Sequence, residues 1–501
     1  MSKHSDPIRG LAGATRSPRF QGTFGRMFRM LPAARYGKTD MESEAALEKL
    51  GAAMSADFDG PKDGKDEEEG GIPSLYTYFG QFVDHDVTFD PSSIAQKQKD
   101  VDALTDFRTP AFDLDCVYGR GPSDQPYMYA SDGRTFLLGK AITGGNANAK
   151  DLPRNSDNPA RALIGDPRND ENTIVSQFQG LMLRFHNALA AEHADQPFAE
   201  IQRLVRWHYQ HVVVNDYLPR IVHSSVLKAL KHEGEFDRSK LKFYRWKNDP
   251  FMPVEFSVAA YRFGHSMIRP GYRLNDAILL PIFPVPAQGL PEGLTGFRAM
   301  TTSWAIDWAR FIDTQVRPAG GTPADDKQRL QFAYRIDTSL VNPLATLPKA
   351  VVGDAPVSLG GRNLIRGFRL HLPTGQRVAK AMNVKPLKDK DILIGKATGD
   401  PADVKPITDV DKVFAGNCPL WTYVLAEAMH NAEDVVLPVS GPKATVKTPR
   451  LGPVGGRIVA EVFLGMLFGD PTSYLSSDPD WKPDSGAGFA LKDLVAKALT
   501  A

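Results

Sequence analysis

From Asn172 to His193 apolar side chains return at three- and four-residue steps: Val175, Phe178, Met182, Phe185 and Leu189. Such a stripe runs down one face of a long helix and has to be covered by other parts of the chain. The same periodicity predicts helices around Thr39–Met54, in LYTYFGQFVDHD (Leu75, Phe79 and Phe82 on the apolar side), and over Phe198–Tyr217, Val254–Met267, Pro419–His430 and Gly456–Phe468. Between them lie stretches such as PIFPVPAQGLPEGLTG and RPAGGTPADD, too broken by proline and glycine for regular elements. Strand signals are short and few, so the expected fold is mainly α with little β structure.

At 501 residues the chain is long enough to bury a core without disulfide or metal staples. Its 60 basic side chains nearly balance 59 acidic ones, and this points away from nucleic acid and anionic membrane surfaces. No apolar run approaches the ~18 residues of a spanning helix, so no integral membrane segment is expected. The N-terminal sequence lacks the apolar stretch of a classical signal peptide; the expectation is a cytoplasmic protein or one exported by a non-classical route. Two cysteines, Cys116 and Cys418, cannot form a disulfide framework and read as structural. Residues 1–70, rich in Gly, Ser and Arg and ending in KDGKDEEEGG, read as a partly flexible N-terminal arm.

Motifs for nucleotide phosphates, the hydrolase nucleophile elbow, zincins and zinc ribbons are absent from the sequence. His208 and His211 share a helix face but lack a third ligand, and His186 reads as a satisfied core histidine. GQFVDHD is different. On a helix Gln81, Asp84 and His85 fall at i, i+3 and i+4 and project from one side, opposite the apolar stripe. A glutamine, a carboxylate and a histidine on one face form a costly polar cluster unless a ligand or a network satisfies them. His85 and Asp86 point in different directions and need not share a partner. GDPRNDE places Arg168 and Glu171 just before the long helix, and YRFGHSMIRPGYRL places Arg262 one turn before His265.

Together with FDLDCVYG, LMLRFHNALA, RNLIRGFRLHLPTGQ and LGPVGGRIVAEVFLGMLFGDPTSYL, these motifs occur in the order found in the animal-type haem peroxidases, the peroxidase–cyclooxygenase superfamily. From about Gly71 to Leu475 the chain resembles that family, as a bacterial-like member. The resemblance implies one large mainly helical haem peroxidase domain over residues 71–501, in place of the three domains that length alone would suggest.

Carried over by position, His265 resembles the proximal iron ligand and Asn363 the acceptor of its ring N–H. His85 resembles the distal histidine, Arg168 the distal arginine, and Gln81 the glutamine that holds water or halide. Arg262 and Arg366 match arginines near the haem propionates. Asp84 and Glu171 match carboxylates that in many members form esters with haem methyl groups. Asn172 stands where one member has the methionine of a sulfonium link, which excludes that bond here. Thr109–Asp115 resembles the family's calcium loop, with ligands from Asp86, Thr109, Asp113 and Asp115 side chains and the Ala111 carbonyl, a hard-cation set.

The implied cofactors are therefore haem b, open to covalent attachment, and Ca2+. The implied activity is an oxidoreductase that reduces hydrogen peroxide and oxidises halide, thiocyanate or small aromatic donors through a ferryl intermediate, as in a response to oxidative stress. The alternative is a fatty-acid dioxygenase on the same fold, whose radical tyrosine stands three residues before the proximal histidine. Here that position is Arg262, with Tyr261 beside it. A non-catalytic haem-binding scaffold would need none of His85, Arg168 and Gln81 together.

Overall fold

The computed structural model describes residues 24–88, 108–247, 249–348 and 357–501. Seven of its helices hold the candidate site: α1 (Asp40–Ala53), α2 (Leu75–Val87), α3 (Thr173–Glu192), α4 (Phe198–Val212), α5 (Leu359–Arg369), α6 (Leu420–Met429) and α7 (Gly455–Gly469). Helix accounts for 41% of the structure and strand for 12%, as the periodicity predicts. Among the described residues the strands form only two-stranded ribbons.

Local chemistry sets the helix ends. Thr39 and Glu42 close a capping box on α1, each side chain accepting from the other's backbone N–H. Asn172 caps α3 by accepting from the backbone of Ile174 and Val175 at 3.1 and 2.9 Å. Beyond α4 the helix widens into a π turn, Val213–Tyr217, that carries the last expected residues of the Phe198–Tyr217 helix.

The apolar stripe of α2 is sealed: Leu75, Phe79 and Phe82 have no exposed surface, and both phenylalanines meet Phe178 of α3 edge-on. On the other side of the core α1 crosses α5 at backbone contact. A side chain at Gly51 would collide with Gly361, so only glycine permits the approach that fixes α5.

Two expectations change. The strand Glu69–Pro73, wholly buried and paired with Phe332–Tyr334, runs through the boundary expected at residue 70, and Leu47 and Leu50 of α1 lie in the core. Of the segment expected as an arm, residues 24–70 are thus packed against the domain; residues 1–23 lie outside the described residues.

The single helix expected over Val254–Met267 is broken into one α turn, Val254–Ser257, and a 3-10 helix, Ala260–Met267. The Ser257 carbonyl, which an α-helix would pair with the Tyr261 N–H, instead accepts Arg262 Nε at 3.1 Å.

Glu427 ties α6 to α7 by accepting from the backbone N–H of Val454 and Gly455, both at 3.1 Å or less. Burial pushes its carboxyl up from 4.5 to about 7 in spite of these bonds. A raised acid binds its proton more tightly in the folded state, so its contribution is fully present below pH 4.5 and is lost as pH rises towards 7. Glu427→Gln should therefore flatten the fall in stability across that window. Urea unfolding of both proteins at several pH values checks this; parallel curves would remove the role.

Candidate functional site

Two histidines stand on facing elements. α2 carries His85, the 3-10 segment carries His265, and the two elements touch where Tyr261 donates to the Gly80 carbonyl at 3.2 Å.

On the α2 side His85 is buried, and its Nδ1 lies 2.7 Å from Asn169 Oδ1. Asn169 spends its own amide N–H on Gln179 Oε1 at 2.8 Å, so its oxygen must face the ring. In its neutral form the ring then carries its proton on Nδ1 and presents the Nε2 lone pair. Nε2 stands 3.6 Å from a Glu171 oxygen, to which Gln81 Nε2 also donates. Asn172 completes the set with a 3.1 Å bond to Gln81 Oε1.

Behind this cluster sits Asp166, fully buried between Arg168 and Arg108. Burial alone would raise its carboxyl, but the two guanidiniums hold it well below the usual carboxylate range. Arg168 also donates from Nη2 to the carbonyls of His85 and Thr88, at 2.9 and 2.6 Å, and so fastens the C-terminal end of α2.

On the opposite side His265 Nδ1 lies 2.8 Å from the Asn363 amide, with Arg262 Nη1 3.3 Å from the other end of that amide. Burial, reinforced by Arg262, pushes the imidazole down to about 3, so it is neutral. Burial and the nearby Arg366 bring Arg262 down to about 10; Asp84 acts in the opposite sense. Asn363 is placed with Nδ2 towards His265, the reverse of the expected pairing. A half-turn of the amide exchanges its ends, at the cost of the 3.3 Å Arg262 bond to Asn363 Oδ1.

Gln81, Asp84, Arg168, Glu171, Arg262, His265 and Arg366 all keep accessible surface, although Phe82, Val83, His85, Asn169, Tyr261, Phe263 and Ile365 near them are buried. A Cβ at Gly264, beside His265, would meet no atom within 4 Å. Their partial accessibility and the open space beside Gly264 mark a recess next to His265. A neutral imidazole with an amide behind it, a cluster of cations and open space beside it are the donor set and charge that an anionic metalloporphyrin requires. The chemistry of the residues fits haem.

Asp86, next to His85, turns the other way. Its Oδ1 accepts from Cys116 Sγ at 3.5 Å, while Oδ2 is buried without a hydrogen-bond partner. Burial, with Asp115 beside it, pushes this carboxyl up to about 7; burial, Asp115 and Asp86 likewise push Asp113 well above its ordinary value. Leu114, between Asp113 and Asp115, takes a left-handed conformation at φ 58°, a strained choice for a bulky residue that creases the loop. Among the described residues no three His, Cys, Asp or Glu side chains close on one point as a finished metal site. The carboxylates are neighbours short of a common centre. Thr109 and Ala111 lie in the same loop, the latter buried.

His208 and His211 bond to the carbonyls of Leu204 and Ala487 and pack on Trp481. His186 is satisfied by Tyr118 and the Arg134 carbonyl. Asn169 and Asp166 are the residues that motif reading passed over. Both lie inside GDPRNDE, where attention went to the arginine and glutamate.

The sequence and structure also match known proteins. Residues 106–288 match the animal haem peroxidase family.

Within curated peroxidases the chain is 31% identical to Dual oxidase of Drosophila melanogaster over 31% of its length, and 26% identical to human Myeloperoxidase over 48%. These matches span 9% and 33% of the relatives, so the chain covers a third or less of each. The fold is that of Peroxidase A from Dictyostelium discoideum, at TM-score 0.60 and 14% identity, over 96% of this chain and 93% of that one. An Oryza sativa fatty acid alpha-dioxygenase shares it at TM-score 0.55 and 14% identity, over 96% and 80%. Fold alone does not separate the two chemistries.

Asp166→Ala would leave two largely buried guanidiniums without their shared carboxylate, which typically costs about 3–5 kcal/mol. Chemical denaturation should show a loss of that order. A loss below about 1 kcal/mol, the scale of an exposed pair, would mean that Asp166 does not brace this side of the recess.

Proposed function

We propose that this chain holds one haem b through His265 and is a peroxidase, reducing hydrogen peroxide and oxidising halide, thiocyanate or small aromatic donors. The observation that carries the reading is the neutral, amide-backed His265 on a cation-lined recess, faced by an element bearing His85 with its Nε2 lone pair kept open. Peroxidase relatives and the shared fold support it.

When bound, the haem supplies the redox step by which peroxide is reduced and the donor oxidised. The protein supplies everything else. His265 would hold the iron through Nε2, which requires its proton on Nδ1 and the Asn363 oxygen turned to accept it. Arg262 and Arg366 balance the propionate charges. His85 Nε2 takes a proton from one peroxide oxygen and returns it to the other. Arg168 contributes a fixed positive charge beside that transfer, where the O–O bond is polarised. Gln81, pinned between Glu171 and Asn172, orients water or halide.

A dioxygenase reading draws on the shared alpha-dioxygenase fold. Against it, the position three residues before His265 is Arg262. In a 3-10 helix residues i and i+3 eclipse, so Arg262 and not Tyr261 shares the face of His265.

The deciding experiment loads the purified chain with haem and assays peroxide-driven turnover on iodide, bromide, thiocyanate, a phenol and an unsaturated fatty acid. His265→Ala should lose haem or change its ferric spectrum. His85→Ala should keep haem and lose peroxide turnover by a factor of about 100 or more. Oxygen uptake on the fatty acid, abolished in Tyr261→Phe with peroxidase turnover absent, would favour the dioxygenase.

Asp84 and Glu171 are proposed to esterify the haem. After peroxide treatment, acidic organic extraction should leave haem on the chain and release it from the Asp84→Asn, Glu171→Gln double variant. Complete release from the parent protein would remove the esters.

Calcium is proposed at Asp86, Thr109, Ala111, Asp113 and Asp115, where the orphaned Asp86 Oδ2 and three crowded carboxylates call for a hard cation. A ligand that binds only the folded state raises its stability. Chelator should therefore lower the melting temperature and added Ca2+ restore it, whereas coincident melts would leave the loop metal-free.

A further inference from the structure

The π turn Val213–Tyr217 does something that a regular helix could not easily do: it points two sequence neighbours, Asp216 and Tyr217, at the same face of α2. Asp216 Oδ2 accepts from the Tyr76 hydroxyl at 2.6 Å. The Tyr217 hydroxyl lies over Gly80, where any side chain would collide with it. Tyr76 and Gly80 are one helical turn apart, so the two contacts are adjacent. Tyr217 then receives the Tyr261 hydroxyl at 3.2 Å, and Tyr261 is four residues from His265 in the same 3-10 segment. The hydrogen-bonded pair Tyr261 and Tyr217, followed by Tyr76 one turn along α2 from Gly80, thus leads from the segment of His265 to the start of α2, all three at most 6% exposed.

Their surroundings differ in one respect that matters to redox chemistry. A buried phenol that gives up an electron must also lose its proton, because the cation is too costly in a low-dielectric interior. Tyr261 and Tyr217 bond to each other and to a carbonyl, which are poor bases. Tyr76 bonds to a carboxylate. That carboxylate is held in place by Arg220 Nε at 2.7 Å and the Leu491 N–H at 2.9 Å. The Arg220 guanidinium also lies over the Tyr76 ring, 4.4 Å from its centroid. A cation there disfavours positive charge on the ring, so electron and proton must leave together. Arg220 is itself about one-third exposed, which brings this end of the relay close to solvent.

We propose that Tyr76, with Asp216 as its proton acceptor, is a redox-active tyrosine that gives up one electron through Tyr217 and Tyr261 when peroxide is reduced without a bound donor. The inference rests on the haem peroxidase reading. Hydrogen peroxide takes two electrons and two protons to become two waters. Both of those protons come from solvent; one electron comes from Tyr76, whose phenolic proton passes to Asp216, and the other would come from the haem, which an external one-electron donor would restore. The neutral tyrosyl radical returns to the phenol when a one-electron donor such as a phenol supplies an electron and Asp216 gives the proton back.

The test mixes haem-loaded protein with hydrogen peroxide in the absence of donor, freeze-quenches it for electron paramagnetic resonance, and maps spin-trap adducts by peptide mass spectrometry. The parent protein should show a tyrosyl signal and an adduct on Tyr76. Tyr76→Phe, which keeps the ring and leaves Asp216 bound to Arg220 and Leu491, should retain the haem spectrum, lose that adduct and change the signal. Asp216→Asn, if it folds, should lose the adduct as well. Superimposable signals in parent and Tyr76→Phe, or adducts on Tyr261 alone, would overturn the relay. A parent chain that takes up no haem would instead overturn the reading beneath it, so the two failures are distinguishable.

Discussion

Asp166 is the residue on which the α2 side of the recess depends. It has no exposed surface, and it holds two guanidiniums: Arg168, which also bonds the backbone at the end of α2, and Arg108, which also bonds the Gly165 carbonyl. A carboxylate so buried is tolerable only because both cations are present; each cation in turn is tolerable only because of the carboxylate. The consequence is positional. Arg168 fixes the carbonyl of His85 while Asn169, the next residue along, fixes its ring. One short turn therefore sets both the height and the tautomer of the histidine. On the opposite wall α5 does the corresponding work, delivering Asn363 and Arg366 from a helix anchored on α1 through glycine backbone.

The fold around the site is shared by proteins named for two different reactions. What separates the readings is local. In the 3-10 geometry of Ala260–Met267 a guanidinium shares the face of His265, and the nearby phenol of Tyr261 turns instead towards Gly80 and Tyr217. Three residues per turn, in place of 3.6, is enough to decide which side chain flanks His265.

Much of this was legible in the residues. The helices near 75–87, 173–192, 420–429 and 455–469 follow from apolar periodicity, because that signal is local and survives packing. Burial of Leu75, Phe79 and Phe82 follows for the same reason. The break after Ser257 did not, since it depends on a guanidinium reaching back to a carbonyl, and periodicity carries no information about such a bond. Nor did the packing of the segment before residue 70, whose polar composition resembles an arm although Leu47, Leu50 and Met54 are sealed in the core.

By itself the sequence determined which residues could carry chemistry: Gln81, Asp84 and His85 share a helix face because a helix has 3.6 residues per turn. It also determined, through motif order, the family resemblance. Only the tertiary structure decided that Asn169 sets the tautomer of His85, that Asp84 stands near Arg262, and that Asp86, one residue from His85, belongs to another cluster with Asp113, Asp115 and Cys116. Those relations join positions tens to hundreds of residues apart. They are set by how the helices cross and by how burial strengthens or penalises each charge, and neither quantity is encoded in the spacing of residues along one element.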